Sequence, residues 1–352
     1  MKKFFLIAAA AALVLSSCSK NTVSEDTSDV NAIGFGTYSG TSTKAGSSLV
    51  NSTSLTPGTS FGVYGYLTAG TEWSSTATTG FMPNQKVDFT SESKYVYTPV
   101  RYWPKDESNL ISFYGYYPYS ESAGDNGITA DFTSSNVGIY AFAVASAPAS
   151  QVDFMISDFA KNLTYSNAKT NTSSSADGSV KLTFHHMLTK IGMKVKTTAD
   201  ANTTVKITSI TFGGHISNSG KLSPAETATN SEWNSLSGSA IYTMPLNAAS
   251  VTLGTGADYA DLCATATNAN AGDLMMIPQT LSSTDGDNVI TISYDYTTNG
   301  YTVHDKAIAD LKGQIWGMNN YIIYKLNLDL ASREIKFEAT IAPWDDASEI
   351  TL

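Results

Sequence analysis

The segment Ile290–Val303, ITISYDYTTNGYTV, carries the pattern that decides the fold. On either side of Asn299-Gly300, apolar and polar residues alternate, and a period of two places the apolar ones on a single face of a β-strand. Asn-Gly adopts the positive φ angles that a two-residue hairpin turn requires. The segment therefore predicts an antiparallel hairpin with one apolar and one solvated face.

The same alternation recurs elsewhere in the chain. Residues 324–330 and 335–341 alternate around a break at Ala331-Ser332 and predict a second hairpin, and another strand is predicted to begin at Val180. No stretch shows a convincing period of 3.6, which an amphipathic helix requires. The sequence therefore predicts an all-β chain whose antiparallel sheets stack as β-sandwiches.

The composition and length agree with that class. Of 352 residues only 15% are charged, whereas an ordinary globular domain carries about 25%. The length corresponds to about two domains at roughly 150 residues each. A Ser- and Asn-rich stretch at 167–179 marks a junction, which predicts an N-terminal sandwich domain over 31–175 and a C-terminal one over 176–352.

The charge of the chain argues against one class of partner. It has 31 acidic and 21 basic residues, which give a formal net charge of -10. No cluster of basic residues is present that could meet a phosphate backbone. Nucleic acid is therefore not expected as a partner.

The first thirty residues predict export. Two lysines precede an apolar run at 4–15, which at about a dozen residues is too short to span a bilayer. The run ends in Leu15-Ser-Ser-Cys18, which resembles the lipobox of bacterial lipoproteins, where a lipidated Cys becomes the new N-terminus. We expect 1–17 to be a signal peptide and 18–30 a tether that starts at a lipid on Cys18 and holds the protein on the outer membrane. A plain secretory cleavage site is the alternative.

Several short motifs follow one another along the chain. They are Thr43-Lys44-Ala45 after a first short β segment at 32–35, Tyr102-Trp103-Pro104, Phe113–Tyr119, Val180–Ile191, Trp316–Leu328, Ile341 and Trp344. In their order and spacing together these motifs resemble those of the Bacteroidales fimbrillins, and the resemblance spans nearly the whole chain.

This resemblance implies a lipoprotein of two transthyretin-like β-sandwich domains in tandem, which serves with other pilus subunits in a type V pilus as stalk, tip or anchor. In polymerising members of the family a surface protease cuts after a basic residue and removes a first strand, and a strand of another subunit fills the groove. Neither of the two arginines, Arg101 and Arg333, lies in the stretch directly after the first short segment. Lys44 does, and it is therefore the candidate cleavage site. An ordinary solvated lysine is the other interpretation of Lys44.

Enzymatic chemistry is not expected. The mature chain contains no HExxH, paired CxxC, GxSxG or phosphate-loop pattern. The aspartates at 125, 285 and 287 fit hairpin turns, where Asx side chains are favoured. Of the four histidines only His185 and His186 are adjacent, and adjacent residues of a strand point to opposite faces, which does not favour a shared metal. His186 alternates in step with the apolar residues of its strand and is interpreted as a satisfied core histidine. Cys263 is interpreted as a buried apolar residue, and no cofactor or metal is expected.

A second function stays open at this point. Trp73 and Trp233 lie in Ser- and Thr-rich sequence and are candidate exposed ligand contacts. They suit a surface lipoprotein that binds a glycan or a host protein without polymerising. The observation that separates this function from a pilus subunit is whether residues 30–40 form a detachable strand in the N-terminal sheet.

Overall fold

A computed structural model describes residues 31–39, 58–74, 80–90, 95–131, 139–170, 179–246, 251–253, 259–261, 273–330 and 334–344. The predictions for Cys18, Lys44 and Cys263 fall on residues outside these ranges.

Within these ranges the chain is almost entirely β-structure, so the predicted all-β class is confirmed. One short α-helix, α1, covers Tyr165–Thr170, and short 3-10 turns cover Asp125–Gly127, Pro148–Ser150 and Ala228–Asn230. No helix among the described residues is long and apolar enough to cross a membrane. The strands are β1 (Gly34–Ser39), β2 (Ser60–Ala69), β3 (Met82–Phe89), β4 (Tyr95–Val96), β5 (Asn109–Tyr117), β6 (Ile128–Asp131), β7 (Ile139–Ala143), β8 (Met155–Ser157), β9 (Ala160–Leu163), β10 (Ser179–His186), β11 (Thr189–Thr197), β12 (Thr203–Gly214), β13 (Ser219–Ser223), β14 (Glu232–Ser237), β15 (Tyr242–Thr243), β16 (Val251–Leu253), β17 (Ala260–Asp261), β18 (Leu274–Met276), β19 (Gln279–Thr280), β20 (Asn288–Thr298), β21 (Tyr301–Asp310), β22 (Ile315–Trp316), β23 (Asn320–Asp329) and β24 (Glu334–Pro343).

The two hairpins predicted in the second half are confirmed. Strands β20 and β21 pair antiparallel across Asn299 and Gly300, whose φ angles are 49° and 78°. Strands β23 and β24 also pair antiparallel. All four belong to a sheet with the order β15-β12-β20-β21-β24-β23-β11-β17, to which β16 and β18 add at β12 and β11.

The first half of the chain, together with β10, builds another large sheet, which we call the first sheet; the sheet of the two hairpins is the second sheet. The order of the first sheet is β1-β10-β8-β5-β2-β3-β4, with β9 pairing β5. One face covers a buried cluster of aromatic and aliphatic side chains. The cluster consists of Ile33, Phe35, Phe61, Val63, Met82, Val87, Phe89, Trp103, Ile111, Phe113, Met155, Ala168, Val180, Leu182 and Phe184.

The expectation of antiparallel sheets holds along most ladders but is wrong at three of them. Strand β1 pairs β10 in parallel, β11 pairs β23 in parallel, and β21 meets β24 in parallel at Ile308 and Glu334. Parallel neighbours need a crossover rather than a tight turn, and in each of these pairs other strands lie between the two partners in the sequence. A period-two pattern marks a strand but does not state its partner, so these three directions could not be derived from it.

Strands that precede the predicted domain junction pair with strands that follow it. A four-stranded sheet has the order β14-β13-β7-β6, so β7, which precedes the junction, pairs β13, which follows it. Strand β10, which follows the junction, pairs β1 and β8 in the first sheet. The boundary at 175/176 falls outside the described residues and stays a prediction, as does the tandem transthyretin-like arrangement.

Candidate functional site

The candidate site is the edge of the first sheet that β1 covers. Strand β1 is the terminal strand of that sheet, and six residue pairs, from Gly34–Ser179 to Ser39–Phe184, join it to β10. An edge strand is held by one ladder only, so its removal exposes the row of N–H and C=O groups along its neighbour. The first segment forms a strand, as expected, but the strand covers Gly34–Ser39 rather than 32–35, and whether it can be detached stays a prediction.

The residues just before β1 are held from the opposite side. Ala32 forms an antiparallel bridge with Tyr102. The backbone N–H of Ile33 donates to the carbonyl of Arg101 at 2.9 Å, and the N–H of Trp103 donates to the carbonyl of Asn31 at 2.8 Å. The chain therefore passes from the 101–103 segment, where it is antiparallel, to β10, where it is parallel.

We call the contacts between residues 31–33 and 101–103 the 101–103 clamp. The side chain of Tyr97 contributes a further hydrogen bond to it. The Tyr97 hydroxyl donates to the carbonyl of Ile33 at 2.7 Å and accepts from the N–H of Arg101 at 3.2 Å. Burial raises the pKa of Tyr97 to about 12, so this phenol is a hydrogen-bond donor at neutral pH. The sequence alone does not indicate this contact, since the role of Tyr97 depends on a residue 64 positions away.

Two side chains of the first segment enter the core. Ile33 is 1% exposed and Phe35 is 5% exposed. The Phe35 ring has edge-to-face contacts with Tyr97, Phe113 and Phe61, at centroid distances of 5.5, 5.6 and 6.4 Å. Burying each of the two side chains contributes about 1.5–3 kcal/mol relative to exposure.

The two adjacent histidines of β10 face opposite sides of their strand. The His186 Nδ1 atom lies 2.9 Å from Asp153 Oδ1, with both side chains almost fully buried, and its ring stacks on the Trp344 indole at 4.4 Å. His186 lies in the core, as expected, and its Nδ1 atom has the Asp153 carboxylate as its partner. No group of three or more His, Cys, Asp or Glu residues with the geometry to hold a metal ion occurs in the part of the chain that the structure describes.

His185 contacts a more exposed carboxylate, that of Asp158, where the two halves of the chain meet. Its Nε2 atom lies 3.1 Å from Asp158 Oδ2, and the N–H of Ala228 donates to Asp158 Oδ1 at 2.8 Å. Burial raises the pKa of the Asp158 carboxyl, but the two hydrogen bonds outweigh that effect and hold it below its usual range. Asp158 therefore links the end of β8 to a turn of the second half in its charged form.

The two tryptophans predicted as ligand contacts are partly buried. Trp73 packs edge-on against Tyr66 at 4.6 Å and Phe159 at 4.7 Å. The Trp233 Nε1–H donates to the carbonyl of Met187 at 2.7 Å. Both indoles pack against the large core cluster, and contact of either with a ligand stays a prediction.

These features define a class of protein: an all-β molecule of stacked sheets whose first strand closes an edge of the N-terminal sheet. Residues 43–344 match the model of the fimbrillin-like family. Because this match covers most of the sequence, the chain belongs to the fimbrillin-like family.

Solved structures show the same fold at low sequence identity. A fimbrial protein from Bacteroides vulgatus ATCC 8482 is 19% identical with a TM-score of 0.68, over 89% of this chain and 99% of that one. A candidate cell adhesion protein from Bacteroides uniformis ATCC 8492 is 14% identical with a TM-score of 0.51, over 90% of this chain and 100% of that one. At such identities the likeness concerns the fold alone. No curated protein sequence matches the chain significantly.

Proposed function

We propose that this chain is a lipid-anchored subunit of a type V pilus on the bacterial surface, as stalk, tip or anchor, and that subunits join by strand complementation after β1 is removed. Membership of the fimbrillin-like family supports a structural role in fimbriae together with other subunits. The Leu15-Ser-Ser-Cys18 sequence supports anchoring through a lipid on Cys18.

The observation that carries this proposal is the position of β1. It is the terminal strand of its sheet, it buries Ile33 and Phe35, and the segment that follows it contains Lys44. Cleavage after Lys44 separates β1 covalently from the rest of the chain. What then holds β1 is noncovalent: the ladder to β10, the 101–103 clamp and two buried side chains.

The physical reason for assembly is the cost of the empty groove. Without β1, strand β10 presents unpaired backbone groups, and the cavities left by Ile33 and Phe35 are open to water. A strand from another subunit restores the ladder and fills the cavities, which is β-augmentation. The joint is noncovalent and dissociates slowly, because the strand must lose all of these contacts together.

The first prediction concerns Lys44. Limited digestion of the delipidated protein with a trypsin-like protease is expected to trim a short N-terminal peptide and to produce SDS-resistant ladders, and Lys44→Ala should abolish both. Lys105→Ala, at an exposed lysine outside the first segment, is the matched control and should leave trimming and ladders unchanged. A product that is cleanly cut at Lys44 yet stays monomeric at high concentration contradicts the stalk role and favours surface binding without polymerisation.

The second prediction concerns the anchor. Cys18→Ala should prevent lipidation, because only the thiol forms the thioether to the lipid, and should move the protein out of the membrane fraction. Metabolic labelling with a fatty acid followed by fractionation measures both effects. Ser17→Ala is a control that changes the neighbouring residue but keeps both a small side chain before the cleavage point and the thiol. Label on the Cys18→Ala protein would contradict the assignment.

A further inference from the structure

The cavity that Phe35 occupies is shaped for an aromatic ring. Tyr97, Phe113 and Phe61 surround it and meet its ring at interplanar angles of 64°, 85° and 88°. All three are edge-to-face arrangements, which aromatic pairs favour beyond the burial of area because of their quadrupoles. An aliphatic side chain in this cavity keeps much of the burial but loses those three contacts.

The backbone contacts of the first segment set a direction and a spacing. Residues 31–33 are antiparallel to 101–103, and the following residues are parallel to β10, with Phe35 beside Val180. A strand that runs like β1 meets the Ile33 cavity first and the Phe35 cavity two residues later. A strand of the opposite direction meets them in the reverse order.

Glycine fills the two positions of β1 that flank Phe35. A Cβ atom added at the second of them, Gly36, meets no described atom within 4 Å. Glycine inside a strand contributes no packing and costs conformational entropy on ordering. Strand β1 therefore gains little at these two positions, and among the described residues there is space for a Cβ atom at Gly36.

We propose, on the basis of the proposed function above, that the groove selects a donor strand with an aliphatic residue followed two positions later by an aromatic one, running in the direction of β1. The partner is thus an extended segment of a second subunit with the pattern aliphatic-x-aromatic. A donor with a β-branched residue directly after the aromatic one displaces β1, because it meets the same cavities with a better strand former.

The experiment uses the full mature chain with a specific protease site placed at Lys44, so that it does not depend on natural cleavage. The cut protein is treated with urea until its first segment is released, and the urea is then removed in the presence of an excess of labelled nonapeptides, so that slow dissociation of the first segment does not limit the result. Incorporation is measured by native mass spectrometry. The reference peptide has the sequence of residues 31–39, NAIGFGTYS. The others carry Phe35→Leu, Phe35→Ala or Gly36→Val, and the last is the reference sequence in reverse order.

Phe35→Leu should bind roughly tenfold more weakly, since three edge-to-face contacts are lost. Phe35→Ala should bind more than about 100-fold more weakly, as expected for an aromatic side chain truncated in a core. Gly36→Val should bind about fivefold more tightly. The reversed peptide has the same composition as the reference and should not be incorporated.

The outcomes separate this inference from the proposed function. Incorporation of the reference peptide with the expected order of variants supports the selective groove. Equal incorporation of the reference, Phe35→Leu and reversed peptides overturns the selectivity and leaves strand complementation standing. Failure of every peptide, the reference included, overturns both, because a groove that does not take back its own strand cannot accept one from another subunit.

Discussion

Replacing His186 with Ala is expected to lower the free energy of unfolding by about 3–5 kcal/mol, because it leaves a carboxylate buried without its partner. The side chains of His186 and Asp153 are 1% and 3% exposed, with the Nδ1 and Oδ1 atoms 2.9 Å apart. The change also removes the ring on which the Trp344 indole stacks. Urea denaturation of the mature chain, followed by far-UV circular dichroism, measures the loss.

His185→Ala is the matched control for this prediction. It removes the neighbouring residue of the same strand, but its partner Asp158 is 38% exposed, so water replaces much of the interaction. We expect a loss of about 1 kcal/mol or less. Equal losses in the two variants would show that burial of the His186 pair does not determine its contribution.

A double-variant cycle isolates the pair itself. If Asp153→Ala and His186→Ala act through one interaction, the double variant should lose less stability than the sum of the two single ones, because the second substitution has no unpaired charge left to create. The cycle matters for the fold as a whole, since this pair lies where β10 of the first sheet gives way to β11 of the second.

Local patterns in this chain predict local structure well. The β20–β21 hairpin depends on alternation and on Asn299-Gly300, all within one short segment, and it is present as expected. The pairing of β1 with β10 depends on a contact between Gly34 and Ser179. Nothing in the sequence of either segment identifies the other as its pairing partner. The parallel edge that forms the candidate site could therefore be recognised only in the structure.

Part of the candidate site can likewise be predicted from local sequence, and part of it cannot. The alternation of Ile33 and Phe35 with glycines marks a first strand, and Lys44 follows it in the sequence. The side chain of Tyr97 and the backbone of Arg101 complete the clamp from a distant loop. Hydrogen bonds to a carbonyl group place no demand on residue type at the acceptor, so this half of the site leaves little trace in the sequence.

We expect the protein to unfold cooperatively at alkaline pH, because its core contains buried tyrosines. Burial raises the pKa of a set of tyrosines, each of which stays protonated in the folded chain at a pH where an exposed phenol ionises. For Tyr114 and Tyr140 the pKa lies well above its usual value. For four others burial raises the pKa to about 12: Tyr97, Tyr116, Tyr117 and Tyr324.

The direction of the pH dependence follows from proton linkage. A tyrosine whose pKa is raised in the folded state contributes stability that is fully present below the unfolded pKa of about 10 and is lost as the pH rises through the folded pKa. Each unit of difference corresponds to about 1.4 kcal/mol. Several such groups together outweigh the 5–15 kcal/mol that usually separates folded from unfolded chains. We therefore expect unfolding between about pH 10 and pH 12.

Tyr114→Phe and Tyr116→Phe form a matched pair for this test. The Tyr114 hydroxyl has no hydrogen-bond partner among the described residues, so its removal should leave stability at pH 7 unchanged or slightly higher and should raise the alkaline midpoint. The Tyr116 hydroxyl bonds to Asn84 and Ser120, so its loss should cost about 1–3 kcal/mol at pH 7.

Two signals recorded together decide the outcome. Tyrosinate absorbance near 295 nm and the circular dichroism of the β-sheets should change in one transition, because the buried phenols ionise only when the chain opens. If most tyrosines titrate near pH 10 while the sheets persist, the phenols are accessible to hydroxide in the folded state. Packing of the aromatic core would then not control the alkaline limit of this protein.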